Sequence, residues 1–312
     1  MHTKNKKFIL LFLLLLFIFS VNSYAKIDIK VTINNEIITN IDIKKEAEYL
    51  KILNPNLIQL NENKILELSK ISLINQIVKK KEILKYVDIN ILENKFLNDS
   101  LKKLYLRLDY KSENDFKNVL ILKNTYSINE IKDKINIELY WNEIIYEKYD
   151  RLVKINKQIF INKINNIKNE EQKEYFLSEI VFTKKKDEKL EDQLKQIKLS
   201  INDIGFKNTA NIYSIAQSSK FGGNLGSVSE NSLSKKISEK LSKLKKGEIT
   251  DAINIGNNYL IIKIDEIKIN KIKINKEKEL EKLIQAERNK QLNKFSIIYF
   301  DKSKINYSIS EK

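Results

Sequence analysis

Cysteine is absent from this 312-residue chain, and it has one histidine, one proline and six glycines. Without cysteine there is no disulfide, no thiol nucleophile, no zinc ribbon and no cysteine-ligated iron–sulfur cluster. The one histidine, His2, lies in a leader described below. The rest of the chain therefore lacks the imidazole of Ser-His-Asp triads, of histidine general bases and of histidine-rich metal sites. No cofactor and no metal is implied. Scarce proline and glycine exclude a collagen-like or low-complexity chain and favour long helices with few tight turns.

What is present sets the class. Hydrophobic residues make up 42% of the chain, enough for real cores, and the formal charge is +16. That charge invites a nucleic-acid or anionic-membrane reading. No clustered arginine or interleaved aromatic module supports it, and the excess of Lys, Asn and Ile fits a genome-wide bias. Residues 1–25 read as a secretory signal peptide. Lys4, Lys6 and Lys7 form a basic start, Phe8–Phe19 is an apolar run of 12 residues, and Ser23-Tyr24-Ala25 is a small-x-small site. A bilayer span needs about 20 apolar residues, so cleavage between Ala25 and Lys26 is expected rather than a retained anchor. Export makes nucleic acid an unsuitable partner, and no stable membrane span is expected after the signal is removed.

Ile27, Ile29, Val31 and Ile33 alternate with polar residues, Asn34-Asn35 turns the chain, and Glu36–Ile38 returns as a partner strand. Thr39 with Asp42 three residues on opens a helix to about Leu53, stopped by Asn54-Pro55-Asn56. Helical stretches follow over Lys64–Lys85 and Ile91–Leu108. Two more open at Ser112 with Asp115 and at Ser127 with Glu130, the last running to about Lys154. From Tyr175 the pattern changes to strand, helix and glycine-bearing loops, with strands expected at Tyr175–Phe182, Glu248–Ile255 and Tyr259–Ile269. Beyond it come the charged helix Glu277–Lys294 and expected terminal strands at Phe295–Phe300 and Ile305–Ile309. The reading is an α+β chain in four parts: leader 1–25, a mostly helical module 26–170, an α+β domain 171–270, and a tail 271–312 that packs on the N-terminal module.

Within 179–264 the order of landmarks resembles a parvulin-type (PpiC-like) peptidyl-prolyl isomerase domain. Phe206-x-x-x-Ala210-x-x-Tyr213-Ser214 looks like that family's helix end, and Gly222-Gly223-Asn224-Leu225-Gly226 stands where the family has G-G-D-L-G. Leu233, Ile237, Leu244 and Gly247-Glu248-Ile249 follow at its spacing, and Tyr259–Lys263 resembles its last strand. The segment Val31–Ile43, the helix Leu73–Val78 with Val87-Asp88-Ile89, and the terminal helix and strand resemble SurA-type periplasmic chaperones. One parvulin unit is found where the best-known members have two.

The resemblance implies a periplasmic chaperone for unfolded outer-membrane proteins in transit and assembly, with the outer-membrane assembly machinery as a further partner. It also places the family's functional positions. The first histidine falls on Glu179, the second on Leu260, and the Cys/Asp position near Ala216; the threonine falls on Ile255 and the apolar shelf on Leu233 and Ile237. Turning a prolyl peptide bond means lowering a barrier of ~18–20 kcal/mol with placed hydrogen bonds beside an apolar pocket. Here the polar half is replaced by an apolar floor, so no catalytic residue is assigned. Leu233, Ile237, Ile255 and Leu260 are peptide-groove candidates, and Gly222, Gly223, Leu225 and Gly226 form a structural loop. Glu179 reads as a solvated residue at a strand start. A catalytically degenerate domain with low or no activity is expected; the alternative is an active isomerase with an altered site.

Overall fold

A computed structural model describes residues 26–87, 95–165, 172–185, 187–270 and 275–312. Residues 1–25, expected as a signal segment, residues Asp88, Ile89 and 91–94, the boundary at 170–171, and Ile272 and Ile274 lie outside the described residues.

The N-terminal hairpin pairs β1 (Ile29–Ile33) with β2 (Glu36–Thr39), and Asn34 turns it with a positive φ of 51°. Thr39 then caps α1 (Asn40–Leu53). Its hydroxyl accepts the Asp42 N–H at 3.2 Å while the Asp42 carboxylate accepts the Thr39 N–H at 2.8 Å, satisfying two donors that the helix start would otherwise leave unpaired. After a 3-10 turn at Pro55–Gln59 come α2 (Glu62–Ile83), α3 (Lys95–Arg107), α4 (Glu113–Leu122), α5 (Ile128–Tyr149) and α6 (Lys157–Asn165). Ser127 and Glu130 form a second capping box at α5. Leu50, Leu53, Leu57, Leu101, Phe116, Leu120 and Ile131 fill the main core of these helices.

The α+β part holds β3 (Gln172–Thr183), α7 (Leu190–Tyr213, kinked at Gly205), a 3-10 turn Gln217–Phe221, β4 (Asn224–Ser229), α8 (Lys235–Leu241), β5 (Ile253–Asn254) and β6 (Asn258–Asn270). The sheet order is β4-β3-β6-β5, and its three pairings are antiparallel. Both faces are buried. Ile180, Phe182 and Ile261 meet Ile197, Phe206 and Ala210 of α7, while Leu177, Val181, Leu260, Ile262 and Ile264 meet Leu233 and Leu241 around α8. The strand expected over Glu248–Ile255 shrinks to Ile253–Asn254 and a lone bridge from Ile249 to Lys263. At Thr250 the side-chain hydroxyl accepts the Ile262 N–H at 3.0 Å, so a side chain takes the place of a ladder carbonyl.

The tail is α9 (Lys276–Lys304) and β7 (Ile309–Glu311), which pairs antiparallel with β1. Phe295–Phe300, expected as a strand, lies inside α9, and of Ile305–Ile309 only Ile309 is extended. The reason is tertiary. Phe295 and Tyr299, one helical turn apart, meet α5: Phe295 stacks on Tyr149 at 4.9 Å between centroids, and Tyr299 and Phe300 flank Trp141. The buried Trp141 indole donates to the Ser296 hydroxyl at 2.8 Å. Among the described residues no helix is long and apolar enough to cross a membrane.

Candidate functional site

Strand alternation builds one side of the site. Leu177, Glu179 and Val181 share one face of β3, and the register sets Ile264, Ile262 and Leu260 of β6 opposite them. Glu179 is thus the one carboxyl in a stripe of aliphatic side chains. It stands in the middle of a 12-residue strand and is partly buried, so the reading of a solvated strand-start residue is corrected. Its Oε1 accepts the Ser218 hydroxyl at 2.8 Å. Burial pushes the carboxyl above its ordinary value, and the Ser218 hydrogen bond offsets only part of that.

The segment after α7 crosses the same end of β3. The Ile215 N–H donates to the Val181 carbonyl at 2.8 Å, and the Ser214 hydroxyl accepts the Val181 N–H at 3.0 Å. This delivers Ala216 to the cluster of Val181, Leu233 and Leu260, with Ile237 of α8 at its margin. Leu260 is 6% exposed and Leu233 8% exposed, so both are packed floor. Ile255 is 36% exposed and stands outside this cluster. Four of the positions read from the sequence are therefore brought together, Glu179 shares their face, and Ile255 does not join them.

The glycine loop fixes how β4 meets β3. The Glu179 N–H donates to the Gly223 carbonyl at 2.8 Å, and a Cβ on Gly223 would lie 2.2 Å from the Glu179 carbonyl oxygen. Gly222 closes the 3-10 turn in the left-handed region, and Leu225 is exposed. Sequence reasoning missed Ser218. The available signal was a hydroxyl two residues past Ala216 facing a lone acid in an apolar strand.

Residues 167–266 match the family model of the rotamase, PPIC-type PPIASE domain. The chain carries a PPIC-type rotamase domain. No curated protein matches the sequence. Among solved structures, the peptidylprolyl isomerase PrsA from Bacillus anthracis is similar over 77% of this chain and 98% of its own, at 20% identity and a TM-score of 0.30. One of two SurA-like chaperones of Campylobacter jejuni is similar over 91% of this chain and 98% of its own, at 19% identity and a TM-score of 0.32. For the foldase protein PrsA from Streptococcus pneumoniae the shares are 88% and 91%, at 14% identity and a TM-score of 0.28.

The rotamase domain sits against the helical module through α7 and the Gln217–Phe221 turn. Asn54 donates to the Asn211 side chain, Asn208 donates to the Asn56 carbonyl at 3.0 Å, and Ile204, Ile212 and Phe221 pack on the core of the helical module. The rotamase site therefore lies beside an interdomain contact. Among the described residues no group of three or more His, Cys, Asp or Glu side chains gathers as a metal site.

Proposed function

We propose that this protein is a periplasmic chaperone that holds unfolded outer-membrane proteins during their transit and assembly, with a rotamase domain that is catalytically degenerate. The observation that carries the reading is the apolar packing at the family's functional positions: Leu260 and Ala216 sit in one cluster with Leu233, where an isomerase needs placed hydrogen-bonding groups. A domain kept in this form serves better as a docked, packing unit than as a catalyst. The helical module supports the binding role through large apolar side chains in solvent, among them Phe96 at 76% and Leu122 at 84% exposure. Extended, alternating strands of outer-membrane barrels are suitable clients for such surfaces. Binding them removes chain from aggregation by mass action.

The test is light scattering from a denatured porin diluted with the mature protein. Suppression at stoichiometric to several-fold excess is expected, and an unchanged scattering trace would sink the reading. One observation favours a second reading, an active isomerase with an altered site: the Glu179–Ser218 pair leaves a polar group on the otherwise apolar face. A protease-coupled proline-peptide assay separates the two. The degenerate reading expects the uncatalysed rate, and a catalytic efficiency typical of working parvulins would overturn it.

A further inference from the structure

One five-residue turn serves two masters. On its inner side Ser218 donates its hydroxyl to Glu179, and its carbonyl accepts the Gly223 N–H at 2.9 Å. On its outer side the next residues, Lys220 and Phe221, face the helical module. Lys220 Nζ lies 3.6 Å from Glu138 on α5, and the Phe221 ring lies under the Arg107 guanidinium of α3 at 3.8 Å. Arg107 also donates to the Asn224 carbonyl, the first residue of β4. Within the turn itself the support is short-range: the Ser219 N–H reaches the Ala216 carbonyl at 3.0 Å and the Gly222 N–H the Ser219 carbonyl at 2.9 Å. Short 3-10 turns of this kind have poor hydrogen-bond geometry and rely on what packs against them.

The electrostatics favour the docked arrangement. Burial pushes the Glu138 carboxyl up, but Lys220 and Lys79 outweigh that and hold it at about 2. Lys79 bonds Glu138 at 2.6 Å from within the helical module, so the acid is in place whether or not the turn is docked. Lys220 then arrives at a site already built. Arg107 is exposed, and its stem and plane cover the Phe221 ring, a contact that both packing and charge support.

We propose that Arg107 and Glu138 are positioning residues for the rotamase site, acting across the domain interface by pinning the Gln217–Phe221 turn, so that Ser218 reaches Glu179 only while the two modules are docked. The inference stands on this geometry alone and does not depend on the chaperone reading. It makes the polar side of the rotamase face a property of the whole chain rather than of the domain.

The test uses the full mature chain with 13C-labelled glutamate carboxyls, the Glu179 resonance being assigned with Glu179→Gln. Glu179 is met by Ile262 from β6, by the Gly223 backbone at the start of β4 and by Ser218 from the turn. The double variant Arg107→Met, Lys220→Gln removes the guanidinium and ammonium contacts and leaves the Phe221 packing and the Glu138–Lys79 pair intact. In it the lost Ser218 hydrogen bond alone would raise the Glu179 midpoint, but burial is the larger influence, so admitting water is expected to move it down toward the ordinary 4.5. Hydrogen exchange over 216–224 is expected to quicken at least tenfold, with β6 protection retained. An unchanged midpoint together with unchanged exchange in the turn would overturn the proposal. So would equal quickening of β6, which would mean general loosening rather than release of the turn. Lys220→Gln alone keeps the test usable if the double variant does not fold: a smaller shift in the same direction supports the proposal, and none overturns it.

Discussion

Gly223→Ala probes whether the close approach of β4 to β3 holds the rotamase site together. Gly223 and Gly226 have similar backbone angles, φ 78° and 71°, and a left-handed conformation costs a side-chain-bearing residue ~1–2 kcal/mol at either position. Their surroundings differ. A Cβ at Gly226 meets nothing within 4 Å, whereas at Gly223 it would lie 2.2 Å from the Glu179 carbonyl oxygen and 3.0 Å from Ala210 Cβ. Neither obstacle is the free end of a flexible side chain. Relief requires the start of β4 to draw away from β3, which breaks the hydrogen bond from the Glu179 N–H to the Gly223 carbonyl. An unpaired buried donor costs ~1–3 kcal/mol. Repacking around an oversized group costs a further ~1–3 kcal/mol. Gly223→Ala should therefore destabilise the rotamase domain by roughly 3–8 kcal/mol, and Gly226→Ala by ~1–2. The assay is urea-dependent hydrogen exchange of the β3 and β6 amides, because Trp141, the one tryptophan, sits in the helical module and reports on that module instead. With a urea slope of ~1 kcal/mol per molar, the Gly223→Ala midpoint should fall at least ~1 M further than that of Gly226→Ala. Equal losses at the two glycines would refute the reasoning, since only the backbone clash distinguishes them.

Glu179→Gln should stabilise the rotamase domain at neutral pH. The folded carboxyl titrates above its unfolded value, so ionisation works against folding as pH rises through that window, while below the ordinary 4.5 acid and amide behave alike. Exchange-derived stabilities at pH 3.5 and pH 7 would show it, and a variant gain larger at the acidic pH would contradict the sign. Glu46 is 2% exposed and accepts from Lys134 at 2.8 Å, Tyr126 at 2.7 Å and Ser72 at 2.6 Å. Glu46→Ala should cost the helical module ~3–5 kcal/mol in urea unfolding followed by Trp141 emission, with Glu46→Leu, Lys134→Met recovering most of it. A single-variant loss under ~1 kcal/mol would mean the network is solvated. Burial raises the Glu46 carboxyl, but Lys134 and the hydroxyl donors outweigh it and lower the titration. That contribution is therefore present above the ordinary 4.5 and fades as pH falls through the lowered folded value. Deleting 305–312 should remove the β7 ladder on β1 and the Tyr307 bond to Glu82, seen as faster exchange at Val31–Ile33. Unchanged protection there would show the hairpin to be self-supporting.

Local chemistry was legible where the partners are local. Thr39 with Asp42, Ser112 with Asp115 and Ser127 with Glu130 each mark a helix start, because the capping bond closes within three residues. The rotamase domain was legible through the resemblance of its ordered landmarks from Phe206 to Lys263, and the glycines among them stand where the backbone takes a positive φ. Phe295–Phe300 was misjudged because an aromatic-rich apolar run suits a strand or a buried helix equally, and the deciding partners, Trp141 and Tyr149, lie about 150 residues away. The burial of Glu179 was hidden likewise: it already lay inside the expected strand, but the groups that cover it, Ile262, Gly223 and Ser218, lie 39 or more residues away.

By itself the sequence determined which chemistry this protein lacks and which domain it carries. Cysteine is absent and the one histidine is His2, and no folding can supply another. Only the tertiary structure decided what occupies that space instead. Leu260, Ala216 and Leu233 close into a floor, Glu179 meets Ser218, and the turn holding Ser218 is gripped by Arg107 and Glu138 from another module. Those contacts join residues from 17 positions apart, Ala216 and Leu233, to 114, Arg107 and Phe221. Their energies come from burial and from charges brought together by folding, and neither is a property of any local stretch of chain.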